Sequence, residues 1–182
     1  MPLPEPQERS LKHTREVSFH GYLRTDGLWD IEGHMSDKKA YFFKIENERS
    51  WDIGEPIHDM SIRLTLDETL TVKDIAVAMD SAPHGECPKA QLGMKKMIGC
   101  SIMSGWRKSI DLNLGGIHGC THLRELLYTM ATAAIQTIPA SFGVVKGRPP
   151  LHLGKCLAWD FNGEAVKLHH PEFVGYQDKP KV

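Results

Sequence analysis

No stretch of this chain approaches the roughly 18 consecutive apolar residues that a membrane-spanning helix requires, so no bilayer span is expected. An excess of either charge is missing too. Lys and Arg total 22 against 23 Asp and Glu, a formal net charge of -1, which removes the electrostatic case for nucleic acid or an anionic membrane as partner. The opening residues Met1-Pro2-Leu3-Pro4-Glu5-Pro6 carry neither a basic region nor an apolar core, so no secretory signal is read there and the cytoplasm is the expected location. Cysteine is sparse: Cys87, Cys100, Cys120 and Cys156. In a reducing compartment these are thiols or metal ligands rather than disulfides. Also absent are the GxGxxG, P-loop, HExxH, GxSxG and EF-hand patterns. Nucleotide binding by those routes, zincin proteolysis and serine hydrolysis of the elbow type go with them. No internal repeat is evident.

What the chain has instead is histidine, ten in 182 residues, within an ordinary globular composition of 41% hydrophobic and 25% charged residues. That many imidazoles favours a metal site without locating it. The length fits one domain with a real core. The expected organisation is a flexible lead-in over residues 1–10, a single α+β domain over 11–145, and a loop-rich tail over 146–182 packed on it.

The chain is organised around Gly119-Cys120-Thr121-His122-Leu123. From there Leu123, Leu126, Leu127, Met130, Ala134 and Ile138 recur at three-to-four spacing, one buried face of a helix. A thiol and an imidazole therefore stand at a helix N-terminus, where the dipole and free N-H groups stabilise negative charge. The same pair also suits a small buried residue beside a satisfied polar one.

Upstream the sequence reads as strands. Val17 to Leu23, Leu28 to Glu32 and Ala40 to Ile45 form a meander with turns at Asp26-Gly27 and Ser36-Asp37-Lys38-Lys39. Trp51 to Pro56 reads as a loop. Ile57 to Leu66 and Leu70 to Met79 read as two further strands, the first placing Met60, Ile62, Leu64 and Leu66 on one parity. His58 and Asp59 stand at its mouth on opposite parities, so a site there uses one of them. Asp80, His84, Glu86 and Cys87 follow the last strand in a turn-rich loop. Gln91 to Met97 suggests a short helix, and the segment from Trp106 to Leu114 leaves helix and strand undecided. In the tail, Cys156, His169 and His170 have nothing nearby to complete a ligand set. Strands first and helices later give an α+β fold, an antiparallel sheet of five to six strands with helices on one face.

His20-Gly21-Tyr22-Leu23-Arg24-x-Asp26-Gly27-x-Trp29-Asp30, Pro56-Ile57-His58-Asp59-Met60 and Gly119-Cys120-Thr121-His122-Leu123 with Ala133-Ala134-Ile135-Gln136 together resemble a bacterial family of unassigned role, domain-of-unknown-function family 2889. The likeness spans roughly residues 9–145 and brings no activity with it. A second resemblance is to iron-sulfur scaffold proteins of the NifU and SufE type. It would set His58 to Leu66 in the place of their first element, Cys87 in that of the second and Cys120 with His122 in that of the third. It implies a core of that type behind the N-terminal meander. The first cysteine of that layout is absent, and Cys120 and His122 stand in reversed order.

The site expected from these residues gathers Cys87, Cys120, His122 and either Asp59 or His58 around one zinc or iron ion, since thiolate and imidazole ligands favour those metals. As a binding module the protein would hold a metal or an iron-sulfur group and engage a partner protein. As an enzyme it would be a small metal-dependent hydrolase or lyase acting on an anionic or aromatic small molecule. Arg24 or Arg63 would then hold the anion, and Asp26, Asp30 or Glu32 would act as general base. A metal-free alternative makes Cys120 a nucleophile with His122 or His58 as its base. Homo-oligomerisation is compatible with each.

Overall fold

The computed structural model describes residues 3–138, 148–150 and 152–177. The chain divides into two compact units, Met1–Ala140 and Ser141–Val182. The first is α+β. Strands β1 (His13–Leu23), β2 (Trp29–Lys39), β5 (Pro56–Leu66) and β6 (Val72–Ser81) form a four-stranded antiparallel sheet in the order β1-β2-β5-β6. Between β2 and β5 the chain makes a small separate hairpin of β3 (Phe43–Lys44) and β4 (Ser50–Trp51). A 3-10 stretch (Cys87–Met97) and helices α1 (Trp106–Leu114) and α2 (Thr121–Thr137) follow. Among the described residues the six strands are thus split four and two.

Alternation decides which residues meet the helices. On β5, Met60, Ile62, Leu64 and Leu66 are buried while Arg63 is exposed and Ser61 half-buried, Thr65 alone of the intervening residues being buried as well. This is largely the period-two pattern of a sheet with one covered face. On β2, Ile31, Gly33 and Met35 continue that face, and Asp37 is the next residue of the same parity. The helical side supplies Ile110 and Leu114 from α1, both buried, and Leu123, Leu126, Leu127, Met130 and Ala134 from α2, buried as the spacing predicts. Cys120, the N-cap of α2, makes no side-chain capping bond. A cap is worth about 1 kcal/mol, whereas each large apolar side chain buried contributes roughly 1.5–3 kcal/mol. Packing therefore holds this helix in place.

Two glycines set how closely α2 lies on the sheet. A Cβ on Gly33 would come within 3.1 Å of the Met130 Sδ, and one on Gly21 would collide with the Thr137 side chain. Met130 thus lies over Gly33 and Thr137 over Gly21. Eight helical residues cover about 12 Å and four strand residues about 13 Å, so the start of α2, with His122, comes over Asp37. The indole of Trp106 donates to the Leu127 carbonyl at 2.9 Å, a buried bond that ties α1 to α2.

Several strand ends differ from the sequence reading, and each difference bears on the site. β1 begins at His13 rather than Val17, and β2 runs on through Ser36, Asp37 and Lys38, which look like a turn in sequence. The run Ala40 to Ile45 keeps only Phe43–Lys44 as strand. Trp51, in the segment read as loop, is 1% exposed and its ring centroid lies 5.8 Å from that of Phe43. The undecided segment is helix α1, which Gly105 opens from the left-handed region at φ 69°.

The second unit is described by 3-10 turns and the short helix α3 (Glu164–His169). Leu153 and Val166 are buried there, and the His152 ring lies 4.5 Å from Trp159 and 5.4 Å from His170. Among the described residues, no helix is long and apolar enough to cross a membrane.

Candidate metal centre

Strand register builds the site. Arg15 on β1 pairs with Asp37 on β2, and Asp37 pairs with His58 on β5. Cross-strand partners project to the same face, so these three side chains stand in one row across the sheet. A register shift in β2 between Asp37 and Lys38 ends the row, the kind of irregularity that re-aims side chains beside sites. The start of α2 then lowers His122 onto the row from above.

Asp37 is 3% exposed and is the hub. Arg15 donates from Nε and Nη2 to its Oδ1 and Oδ2 at 2.8 and 2.7 Å. His13 Nε2 lies 2.9 Å from Oδ1. His58 Nδ1 lies 3.1 Å and His122 Nε2 3.9 Å from Oδ2. The His58 and His122 rings are themselves close, 3.9 Å between centroids. On the far side of its ring, His122 Nδ1 lies 3.8 Å from the Cys120 Sγ.

Burial alone would push the Asp37 carboxyl up, but the Arg15 guanidinium, helped by His13 and His58, overrides it and holds the group at about 2. Burial pushes His58 below the ordinary imidazole value, and the neighbouring His122 adds to that against the pull of Asp37. Burial likewise lowers His122, with Arg15 acting in the same sense. Near neutral pH the cluster is therefore one carboxylate and two neutral imidazoles. Those are the protonation states in which these groups bind metal.

Asp37, His58 and His122 each offer one ligand atom, and the three atoms lie within 4.8 Å of one another. Metal-nitrogen and metal-oxygen bonds of about 2.0–2.2 Å put neighbouring ligand atoms about 3 to 3.5 Å apart. The 3.1 Å separation falls inside that range, the 3.9 Å separation lies above it and the third is no more than 4.8 Å, so the side chains must draw together by about an ångström to close the set on one ion. The group borders a cavity of about 310 Å³ whose lining includes His13, Arg15, Lys39, Phe43, Ile57 and Pro83.

The other residues singled out in the sequence lie elsewhere. Asp59 has the opposite parity to His58 and is on the uncovered face of the sheet, 2.8 Å from His34 Nε2. Cys120 is beside His122 but outside the three-ligand group, and Cys87 is half-buried where the 3-10 stretch begins, also outside it. Arg24 is held at the β1-β2 turn by Asp26 at 2.7 Å and Asp30 at 3.6 Å. Asp30 also accepts from the Thr65 hydroxyl. That turn joins the opposite ends of the strands from Asp37. Arg63 is paired with Glu32 at 2.7 Å on the uncovered face, beside a shallow groove of about 550 Å³ that also takes in His20 and His34. His84 binds Glu48 of the β3-β4 hairpin loop.

Sequence reasoning missed Asp37, Arg15 and His13. The signal was the parity Arg15, Val17, Phe19, Gly21, which puts Arg15 on the covered face of the first strand and so calls for a buried acid opposite it.

No curated protein and no solved structure matches the chain, so the NifU and SufE likeness gains no support there. The family model described as "Protein of unknown function (DUF2889)" matches residues 13–136, which takes in every member of the cluster, and the chain belongs to that family.

Proposed function

We propose that the protein holds one divalent zinc or iron ion on Asp37, His58 and His122 and works as a small metal-dependent enzyme of the hydrolase or lyase type. The observation that carries this is the convergence of the three ligand atoms within 4.8 Å at the wall of a cavity. Two imidazoles and a carboxylate suit zinc or mononuclear iron, whereas an iron-sulfur cluster takes thiolates, and the group contains no cysteine. Three protein ligands leave coordination positions free for water or substrate, the condition for catalysis rather than storage. A divalent ion so held lowers the pKa of a bound water or polarises a substrate oxygen. Arg15 and His13 would hold Asp37 in place as outer partners of a ligand, and the Cys120 thiol would face the outer nitrogen of His122.

The test is metal content of untagged protein by mass spectrometry, as isolated and after incubation with zinc or ferrous iron and desalting. One equivalent in the wild type and loss of it in His58→Asn and His122→Asn is the expected result. A metal-free wild type after reconstitution, or full stoichiometry in both variants, overturns the proposal.

The 3.8 Å separation of Cys120 Sγ and His122 Nδ1 favours a second reading. With His122 Nε2 turned to Asp37, the order thiol, imidazole, carboxylate is that of a nucleophile with an oriented base. Iodoacetamide labelling of Cys120 at neutral pH that added metal does not slow supports it. Labelling no faster than that of Cys156 opposes it.

A further inference from the structure

The cavity beside Asp37, His58 and His122 has a lining of two chemical kinds. The ligand cluster, His13 and Arg15 are polar. Phe43, Ile45, Ile57 and Pro83 are apolar. Lys39 also lines it and, among the described residues, is the one cation there left uncommitted. Arg15 is spent on Asp37 and Glu125, at 2.7 and 3.0 Å, whereas among the described residues Lys39 has no carboxylate partner. Its ammonium instead sits beside the Tyr41 and Phe43 rings, 6.0 and 5.8 Å from their centroids. Aromatic faces stabilise a cation without neutralising it, so the charge stays available to a ligand.

From this geometry we infer that the site takes a small monocarboxylic acid with an apolar, ring-sized body. Lys39 holds the carboxylate and Phe43, Ile45, Ile57 and Pro83 hold the body. The inference deepens the metal-enzyme reading and rests on it for the reacting centre, but the binding contacts are separate residues. Three features select this class. The fixed charges on the walls are Arg15 and Lys39 against Asp37, one net positive, which a bound divalent ion raises further, so the ligand is an anion. A single free ammonium matches one carboxylate rather than a phosphate dianion, which draws several cationic or N-H donors. The volume of about 310 Å³ is at the small end of ligand cavities, room for one ring rather than a cofactor or a peptide.

The experiment is calorimetric titration of the full chain, metal-loaded and metal-free, with benzoate, phenylacetate, acetate and the neutral isostere benzamide. Metal content is read in parallel. Benzoate or phenylacetate should saturate at one site, with acetate and benzamide at least tenfold weaker. Lys39→Met should weaken the aromatic acid at least tenfold with metal stoichiometry unchanged, and Lys39→Arg should restore most of the affinity. Equal affinity for benzoate and benzamide, unaltered benzoate affinity in Lys39→Met, or no saturable binding by any of the acids overturns the inference. Benzoate affinity that depends on metal and not on Lys39 shows the ion itself holding the carboxylate, and also overturns it. Loss of metal from the wild type with Lys39-dependent benzoate binding intact would sink the metal reading alone.

Discussion

His58 Nδ1 lies 3.1 Å from Asp37 Oδ2, the two residues occupying paired positions on adjacent antiparallel strands. Register alone makes that contact. A slip of one residue between β2 and β5 would turn Asp37 or His58 to the other face of the sheet. It would also expose Met60, Ile62, Leu64 and Leu66, which are 1% exposed or less. The hydrophobic pattern of β5 that builds the core therefore also fixes the site.

Arg15 is the counter-charge that lets Asp37 stay ionised with 3% exposure. Arg15→Met should destabilise the metal-free protein by about 2–3 kcal/mol, less than for a fully buried pair because the Arg15 side chain is 36% exposed. Adding Asp37→Asn should recover part of that loss, since the orphaned charge is gone. A double-mutant cycle in urea measures both. Additive losses would mean that the two side chains do not depend on one another.

Acid should destabilise the metal-free protein over two pH windows. The His58 and His122 pKa values are lowered on folding. Above about pH 6.5 the imidazoles are neutral in both states and contribute no pH dependence. Below it the unfolded chain takes up protons first, and stability falls with pH until the lowered folded values are reached. Asp37 acts lower down: its folded value of about 2 against 3.8 contributes on the order of 2 kcal/mol above pH 3.8, lost as pH falls toward 2. Urea midpoints measured in chelator from pH 8 to pH 4 should be level above 7 and decline from about 6.5. The double variant His58→Asn, His122→Asn should flatten the part of the decline that begins at about 6.5. An unchanged decline assigns it to other groups.

Periodicity made part of this structure legible and hid the rest. The α2 face and the β5 face are dense in Leu, Ile and Met, so three-to-four and two-residue spacings stand out, and both elements match. With them came His58 and His122, two of the three candidate ligands. β2 was cut short because Gly33 interrupts its apolar parity and Ser36-Asp37-Lys38 has the composition of a turn. Those polar residues are strand because Arg15 and His13 neutralise Asp37 from β1, a compensation 22 and 24 residues away in the chain. Without Asp37, the remaining acid beside His58 was Asp59, whose parity sends it to the other face. The thiols attracted attention by type, yet ligand atoms converge by register, and Cys87 is on no element in register with the row.

The close approach of α2 to the sheet should govern the site without touching its ligands. Gly21→Val adds bulk against Thr137 at the far end of α2 from His122. It should cost about 1–3 kcal/mol of stability and tilt the helix enough to weaken zinc binding severalfold, measured by competition with a chromogenic chelator. Thr137→Ala in the same chain should relieve the overlap and restore both quantities. Failure of the second change to restore zinc affinity would locate the effect in the β1 backbone instead.

Cys120 separates the two chemical readings because its backbone already has N-cap geometry, φ -88° and ψ 134°, with no capping bond from its side chain. Serine is a strong N-cap where cysteine is a poor one, so Cys120→Ser should add about 0.5–1 kcal/mol of stability, seen as a rise in the urea midpoint. The substitution removes the thiol and leaves Asp37, His58 and His122 in place. Under the metal reading the variant should still take up one equivalent of zinc with an affinity within about tenfold of the wild type, the usual range for a group that orients a ligand from outside. Zinc should then raise the stability of both proteins by about 2.7 kcal/mol at a free concentration a hundred times the dissociation constant. Loss of zinc uptake in a variant that is as stable as the wild type would make Cys120 a ligand. It would move the centre toward the tip of α2, where the thiol and His122 meet.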